Sequence, residues 1–248
     1  HIETYYDTTD IGKFPKRLKP ITKHPKLTEL NNVIGFDEIF NNLSQLKLSV
    51  YAPITYILPS RLAKYEDMYD TEIEGGKSKF RQVDREKSLQ SLMTSNLLKR
   101  LESSVHSFRL TLQKLQGKYD GILSIIQDYN DGLITDKSLS SALANEDIDD
   151  EDLENISETF IGDNIKINLA DMDVKSWEYD LKNDLKLVEF LLEEMHKITP
   201  EHDFKLQDIK SHIDNKIKNP INPGNKKVIV FTAFADTADY LYEHISEY

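Results

Sequence analysis

The apolar positions of this chain fall mainly at the three-and-four spacing of one helical face. The clearest run is Leu98, Leu101, Val105, Phe108, Leu112, Leu115, Tyr119, Ile122, Ile126 and Tyr129, the seam of one long helix packed in coiled-coil fashion. Ser95 or Asn96 is placed to cap its start, and Asn130, Asp131 and Gly132 end it. Gly117 and Gly121 each weaken such a helix by about 1 kcal/mol relative to alanine and mark the place for a bend. So long a seam needs a partner. Residues 174–198 offer one, because Val174, Trp177, Leu181, Leu185, Val188, Leu192, Met195 and Ile198 form a matching stripe. The expected fold class is therefore mainly α, a long helical hairpin or small bundle.

Shorter patterns flank this pair. Phe36, Ile39, Phe40, Leu43, Leu46 and Val50 predict a helical face that runs until Pro53. Ser60 is the expected N-cap of a second helix over "RLAKYEDMYD", which stops before Gly75 and Gly76. Thr199 and Pro200 read as N-cap and first position of a helix continuing through "DFKLQDIKSHIDNKI" towards Asn219 and Pro220. After the turn "NPINPGNKK" comes "VIVF" (228–231), four consecutive β-branched or aromatic residues. That pattern predicts a strand buried on both faces of a parallel sheet. "ADTADYLYEHI" then reads as the helix returning across the sheet, with Asp236 or Thr237 as its cap. The C-terminus is thus expected to be a short strand-helix unit from a truncated α/β domain. Function in such sheets gathers at the carboxyl end of the strand, here Thr232, Ala233 and Phe234. Three parts follow: an extended connector over 1–34, punctuated by Pro15, Pro20 and Pro25; a helical region over 35–219 with an acidic connection near 131–171; and the start of an α/β domain over 220–248.

Composition narrows the function classes. A hydrophobic fraction of 39% over 248 residues can bury a real core. With no cysteine there is no disulfide framework and no thiolate metal site. The sequence has no membrane-length apolar run and no secretory leader, so the cytoplasm is the expected compartment and no membrane partner is expected. It begins at His1 rather than methionine, so it is expected to be a piece of a longer protein. A formal net charge of −12 argues against the whole chain acting as a tight nucleic-acid binder. The charge is uneven, however. Residues 11–28 carry Lys13, Lys16, Arg17, Lys19, Lys23 and Lys26 with no acid, which suits phosphate contact, whereas "NEDIDDEDLENISE" (145–158) holds no base and should be solvated.

Familiar chemical motifs fail on spacing. "EGGKSKF" contains Gly76, Lys77 and Ser78, but a phosphate loop needs a glycine five positions before Gly76, where Thr71 stands, and a buried strand ahead of it. "DYNDGLITDKS" (128–138) has the outline of a calcium loop. With Gly132 at the turn, however, the ligand positions fall on Gln127, Tyr129 and Asp131, and Ser138 replaces the closing glutamate. No two of the seven histidines are four residues apart, and no nucleophile and base pair can be argued from spacing. No catalytic residue and no metal site are expected.

One resemblance adds to this reading. "KVIVFTAFADTADYLYEHI" resembles the first strand and helix of the second RecA-like domain in superfamily-2 helicases and Swi/Snf-type ATPases, the region called motif IV. "DFKLQDIKSHIDNKI" resembles the helix that leads into that domain, and "HIETYYDTTDIGKFPKRLKP" resembles the chain leaving the first one. "NLLKRLESSVHSFRLTLQKL" (96–115) is similar to the interdomain helix of bacterial helicases of this kind. The resemblance implies a fragment spanning the interdomain helical region and the start of the second lobe. It implies that ATP and magnesium bind elsewhere in the parent protein, through a phosphate loop, an acidic motif and an arginine finger that this chain lacks. No cofactor and no ATPase activity are then expected of the chain alone. Thr232 and Phe234 match motif IV positions that in the family lie near the nucleic-acid path, while Lys13, Lys16 and Arg17 would add backbone contacts. The implied partners are DNA or RNA, through the parent, and the flanking motor lobes. The plainer reading of these two residues is Phe234 as packing and Thr232 as a strand end, and the alternative for the chain is a non-enzymatic helical protein-interaction module, with the long hairpin docking a partner protein and the terminal strand and helix incidental.

Overall fold

The computed structural model describes residues 15–72, 79–133 and 167–246. Among them the protein is mainly helical. In chain order the elements are α1 (Phe36–Leu43), α2 (Pro59–Tyr69), β1 (Thr71–Glu72), β2 (Lys79–Phe80), α3 (Gln82–Ser103), α4 (Val105–Asn130), α5 (Val174–His196), α6 (Phe204–Lys218) and α7 (Ala235–Ile245). No helix among these residues is long and apolar enough to cross a membrane.

The expected pairing of long helices is present as α4 against α5, the most extensive contact among the described residues, with α3 packed on α4. Phe108, Leu112, Tyr119, Ile122 and Ile126 of α4 meet Trp177, Leu181, Val188 and Met195 of α5, all nine side chains being fully buried. Each such side chain removed from water contributes roughly 1.5–3 kcal/mol, so this seam dominates the stability of the fold.

The long seam nevertheless belongs to two helices. At Ser104 the backbone opens to φ −160°, ψ 152°, and its Oγ accepts a hydrogen bond from Ser107 N, capping α4. The three-and-four spacing passes through the break because Leu101, Val105 and Phe108 all point into one core. Ser95 and Asn96 are therefore interior residues of α3 rather than caps. Gly117 and Gly121 cause no interruption: α4 runs unbroken through both, and a β-carbon at either would meet nothing within 4 Å.

Several shorter expectations are also corrected. The helix after Gly35 stops at Leu43, and the chain passes through 3-10 turns at Ser49–Tyr51 and Pro53–Tyr56. Asp184 imposes this course from α5. Its Oδ1 accepts from Lys47 N (2.8 Å) and its Oδ2 from Ser49 N (3.0 Å), bracketing Leu48, which holds a left-handed φ of 50°. Pro59 rather than Ser60 opens α2, using its fixed φ at the first helical position. Thr199 closes a separate turn, its carbonyl accepting from His202 N and Asp203 N, and Asp203 is the true N-cap of α6.

The largest correction concerns the C-terminus. Residues 228–231 form no strand; the only ladder among the described residues is the two-residue antiparallel pair β1–β2. Val228, Ile229, Val230 and Phe231 are 43, 76, 45 and 89% exposed. A strand exists only by hydrogen bonding to a neighbour, and no described segment pairs its backbone with this one. The expected strand-helix unit is thus not seen as such: its helix forms as α7, docked against α4, while its strand residues stand unpaired.

Candidate functional site

The end of α3, the start of α6 and the approach to α7 converge on a cleft of about 460 Å³. Its lining includes Lys99, Ser103, Lys205, Phe231, Thr232 and Phe234. The two expected strand-end residues therefore share one site, and the reason is that the α3–α4 break places polar groups where α7 docks.

Arg100 is the centre of that docking. Its guanidinium donates to Asp236 Oδ2 at 2.6 Å, with the two side chains only 11 and 23% exposed. It also donates to Ser107 Oγ at 3.3 Å, and its carbon lies 4.6 Å from the centre of the Phe234 ring. One cation thus makes an ion pair, a hydroxyl contact and a cation–π contact. Phe234 is buried, at 9% exposure. Thr237, buried in the first turn of α7, shares hydrogen bonds with Ser103 Oγ (2.8 Å) and Ser104 Oγ (3.0 Å). Asp236 and Thr237, expected as caps, are instead used to tie α7 to the α3–α4 junction; Phe234 is the N-cap residue, with no side-chain cap. Thr232 remains exposed, its hydroxyl 3.4 Å from Ser103 Oγ and 3.4 Å from the Phe234 N–H that donates to it.

The floor of the cleft is held by α6. Lys205 Nζ donates to the carbonyls of Glu102 (2.6 Å) and Ser103 (2.9 Å), closing the C-terminal end of α3, where carbonyls lack helical partners. Burial draws the Lys205 ammonium below its ordinary pKa. Asp203 uses Oδ1 to cap α6 through Leu206 N and Oδ2 to accept from the Tyr240 hydroxyl at 3.1 Å. The Tyr240 ring is stacked on His106 at 4.8 Å and meets the edge of His244 at 4.7 Å. Burial, then the neighbouring Arg109, lowers the His106 pKa; burial, then Asp203, raises that of Tyr240. These titratable groups fix helix ends to one another. The arrangement is a joint with an open polar lip rather than a nucleophile, its base and its orienting group, and no metal-binding cluster occurs among the described residues.

The basic residues lie elsewhere. Lys16 and Arg17 are exposed on an extended segment beside the turn after α6, where the Asn222 side chain accepts from Lys16 N (2.7 Å) and donates to Lys16 O (3.1 Å). Lys13 lies outside the described residues, as do Gly76 to Ser78, the acidic run 145–158 and the second half of the 128–138 loop. Within that loop, Gly132 takes φ +70° as an ordinary helix terminus after α4.

Sequence reasoning did not pick out Arg100, Lys205, Asp203 or Tyr240. The one local signal was Arg100 itself, a cation in the last turn of a helix; Ser107 is near it in sequence, but its partners on α7, Asp236 and Phe234, come from more than a hundred positions away. Neither the family models, nor the curated proteins, nor the solved structures contain a match to this chain.

Proposed function

We propose that this chain is part of an ATP-dependent nucleic-acid helicase or translocase, comprising a helical region and the opening of a second motor lobe. The observation that carries the reading is the pairing of an unpartnered apolar segment, 228–231, with a firmly seated helix, α7. Four β-branched or aromatic side chains left 43–89% exposed forgo several kcal/mol of burial, which a parallel sheet on either side of them would recover. On this reading residues 228–231 become the first strand of the lobe, and Thr232 and Phe234 stand at its carboxyl end. The joint made by Arg100, Asp236, Ser103, Ser104 and Thr237 then transmits lobe movement to the α4–α5 hairpin. ATP and magnesium belong to other parts of the parent protein, and DNA or RNA is the substrate polymer. The test is ATP hydrolysis by the parent with and without nucleic acid. Stimulation supports the motor reading; a parent that turns over no faster with DNA or RNA favours a helical protein-interaction module. The 248-residue chain alone is expected to hydrolyse no ATP.

A further inference from the structure

Residues 16–27 form a strap that runs antiparallel to α6 and is pinned to it at three points. Leu27 O accepts from Phe204 N at the start of the helix, Lys23 pairs with Asp208 at 2.8 Å, and Lys16 is held through both backbone groups by Asn222 just beyond the end. The fifteen-residue helix is about 22 Å long, so the strap spans all of it. Two basic stretches far apart in sequence are thereby laid side by side. The strap carries Lys16, Arg17, Lys19, Lys23 and Lys26, all exposed and with no acid among them. Residues 209–233 carry Lys210, Lys216, Lys218, Lys226 and Lys227 against the single acid Asp214, which faces Lys218 at 3.7 Å. Asp208, paired with Lys23, and Asp214 offset two of these ten cations, and in a chain of net charge −12 this edge still carries an excess of positive charge.

We infer that the strap and the C-terminal half of α6 form one face that binds the phosphate backbone of nucleic acid, with Asn222 as the residue that holds its two halves together. The partner class follows from shape as well as charge. Lys16, Lys19, Lys23 and Lys26 stand at three- and four-residue steps on an extended strap, with Arg17 between the first two, and make a linear track that suits a polymer of regularly spaced phosphates. A bilayer surface would instead be met by an amphipathic helix with an apolar face beneath its cations. On the described strap Leu18 and Ile21 are the only exposed large apolar side chains. In taking nucleic acid as the partner, this inference rests on the motor reading, but its test does not.

The experiment is fluorescence anisotropy of the 248-residue chain with labelled single-stranded and duplex DNA, between about 50 and 200 mM salt. Sedimentation with equimolar phosphatidylcholine and phosphatidylserine vesicles runs in parallel. Lys16→Ala with Arg17→Ala, or Lys216→Ala with Lys218→Ala, should each weaken single-strand binding about tenfold at low salt. Each should also make the slope of log affinity against log salt shallower by about 1.4, the share of two phosphates. Asn222→Ala removes no charge, yet it should weaken binding severalfold by freeing the strap; a strap acting only as a diffuse charged tail would not respond. Lys175→Ala with Lys186→Ala, on exposed positions of α5, serves as the control and should have no effect. The inference is overturned if both basic pairs behave like the control, if Asn222→Ala binds like wild type, or if vesicles are bound and DNA is not. Loss of this face with nucleic-acid-stimulated ATPase intact in the parent would leave the motor reading standing. Binding without stimulation would do the reverse.

Discussion

Replacing Asp236 by alanine should detach α7 without unfolding the molecule. Asp236 and Arg100 are joined at 2.6 Å with side chains 23 and 11% exposed, between the surface case, worth at most about 1 kcal/mol, and the fully buried case, where removing one partner costs about 3–5 kcal/mol. Arg100 keeps Ser107 Oγ and the Phe234 ring, which favours the lower part of that range. A loss of about 2 kcal/mol is expected, equivalent to a roughly thirtyfold rise in the opening equilibrium of α7. Hydrogen exchange read by mass spectrometry resolves this by peptide. Amides of α7 should exchange about thirtyfold faster, while those of α4 and α5 keep their protection, because the hairpin core is made without α7. Arg100→Lys should have a smaller effect in the same place, since lysine keeps the charge and loses the planar contact with Phe234. Unchanged exchange in α7, or faster exchange spread evenly over the hairpin, would refute the claim that this ion pair is a local joint.

Three further outcomes follow from the same structure. Asp184→Ala removes the acceptor of Lys47 N, Ser49 N, Ser49 Oγ and Tyr119 Oη; it should cost about 3–5 kcal/mol in urea unfolding and release the 44–51 segment first. Glu86 is almost wholly buried beside Ile54 N, and burial pushes its carboxyl well above the ordinary range. The folded state therefore holds that proton more tightly than the unfolded chain, so stability is lost as pH rises from the ordinary glutamate range through the raised folded value. Glu86→Gln should raise Tm at neutral pH and flatten this dependence, by about 1.4 kcal/mol for each pH unit of the difference. Gly117→Ala with Gly121→Ala, both exposed in an unbroken helix with open space around them, should stabilise by about 1–2 kcal/mol in the same unfolding assay.

The hairpin was legible because its two apolar stripes are long and regular, and because such stripes report a shared core. The same regularity hid the break at Ser104, since helices on either side of a break can feed one seam. The break is capped locally by Ser104 Oγ, but what holds it is remote: Lys205 caps the last carbonyls of α3, and Thr237 takes the Ser103 and Ser104 hydroxyls. Nothing within ten residues of Ser104 encodes either partner. Likewise α1 ended early because Asp184, 137 positions beyond Lys47 in sequence, captures the backbone around Leu48. The segment 228–231 shows the opposite limit. Its side chains have the composition of a buried strand, but pairing is a property of two segments, and no second segment pairs with it among the described residues. Thr232 and Phe234 were placed in a common site by strand-end reasoning, while the polar joint behind them required the fold.

The functional reading turns on residues 228–231 being a sheet strand that lacks its neighbours here. The most direct measurement is amide exchange at these residues in the 248-residue chain and in the parent protein. In the chain they should exchange close to the unstructured rate, because none of their N–H groups has a partner among the described residues. In the parent they should be protected to the level of core strands. Fast exchange at 228–231 in a folded parent would contradict the account.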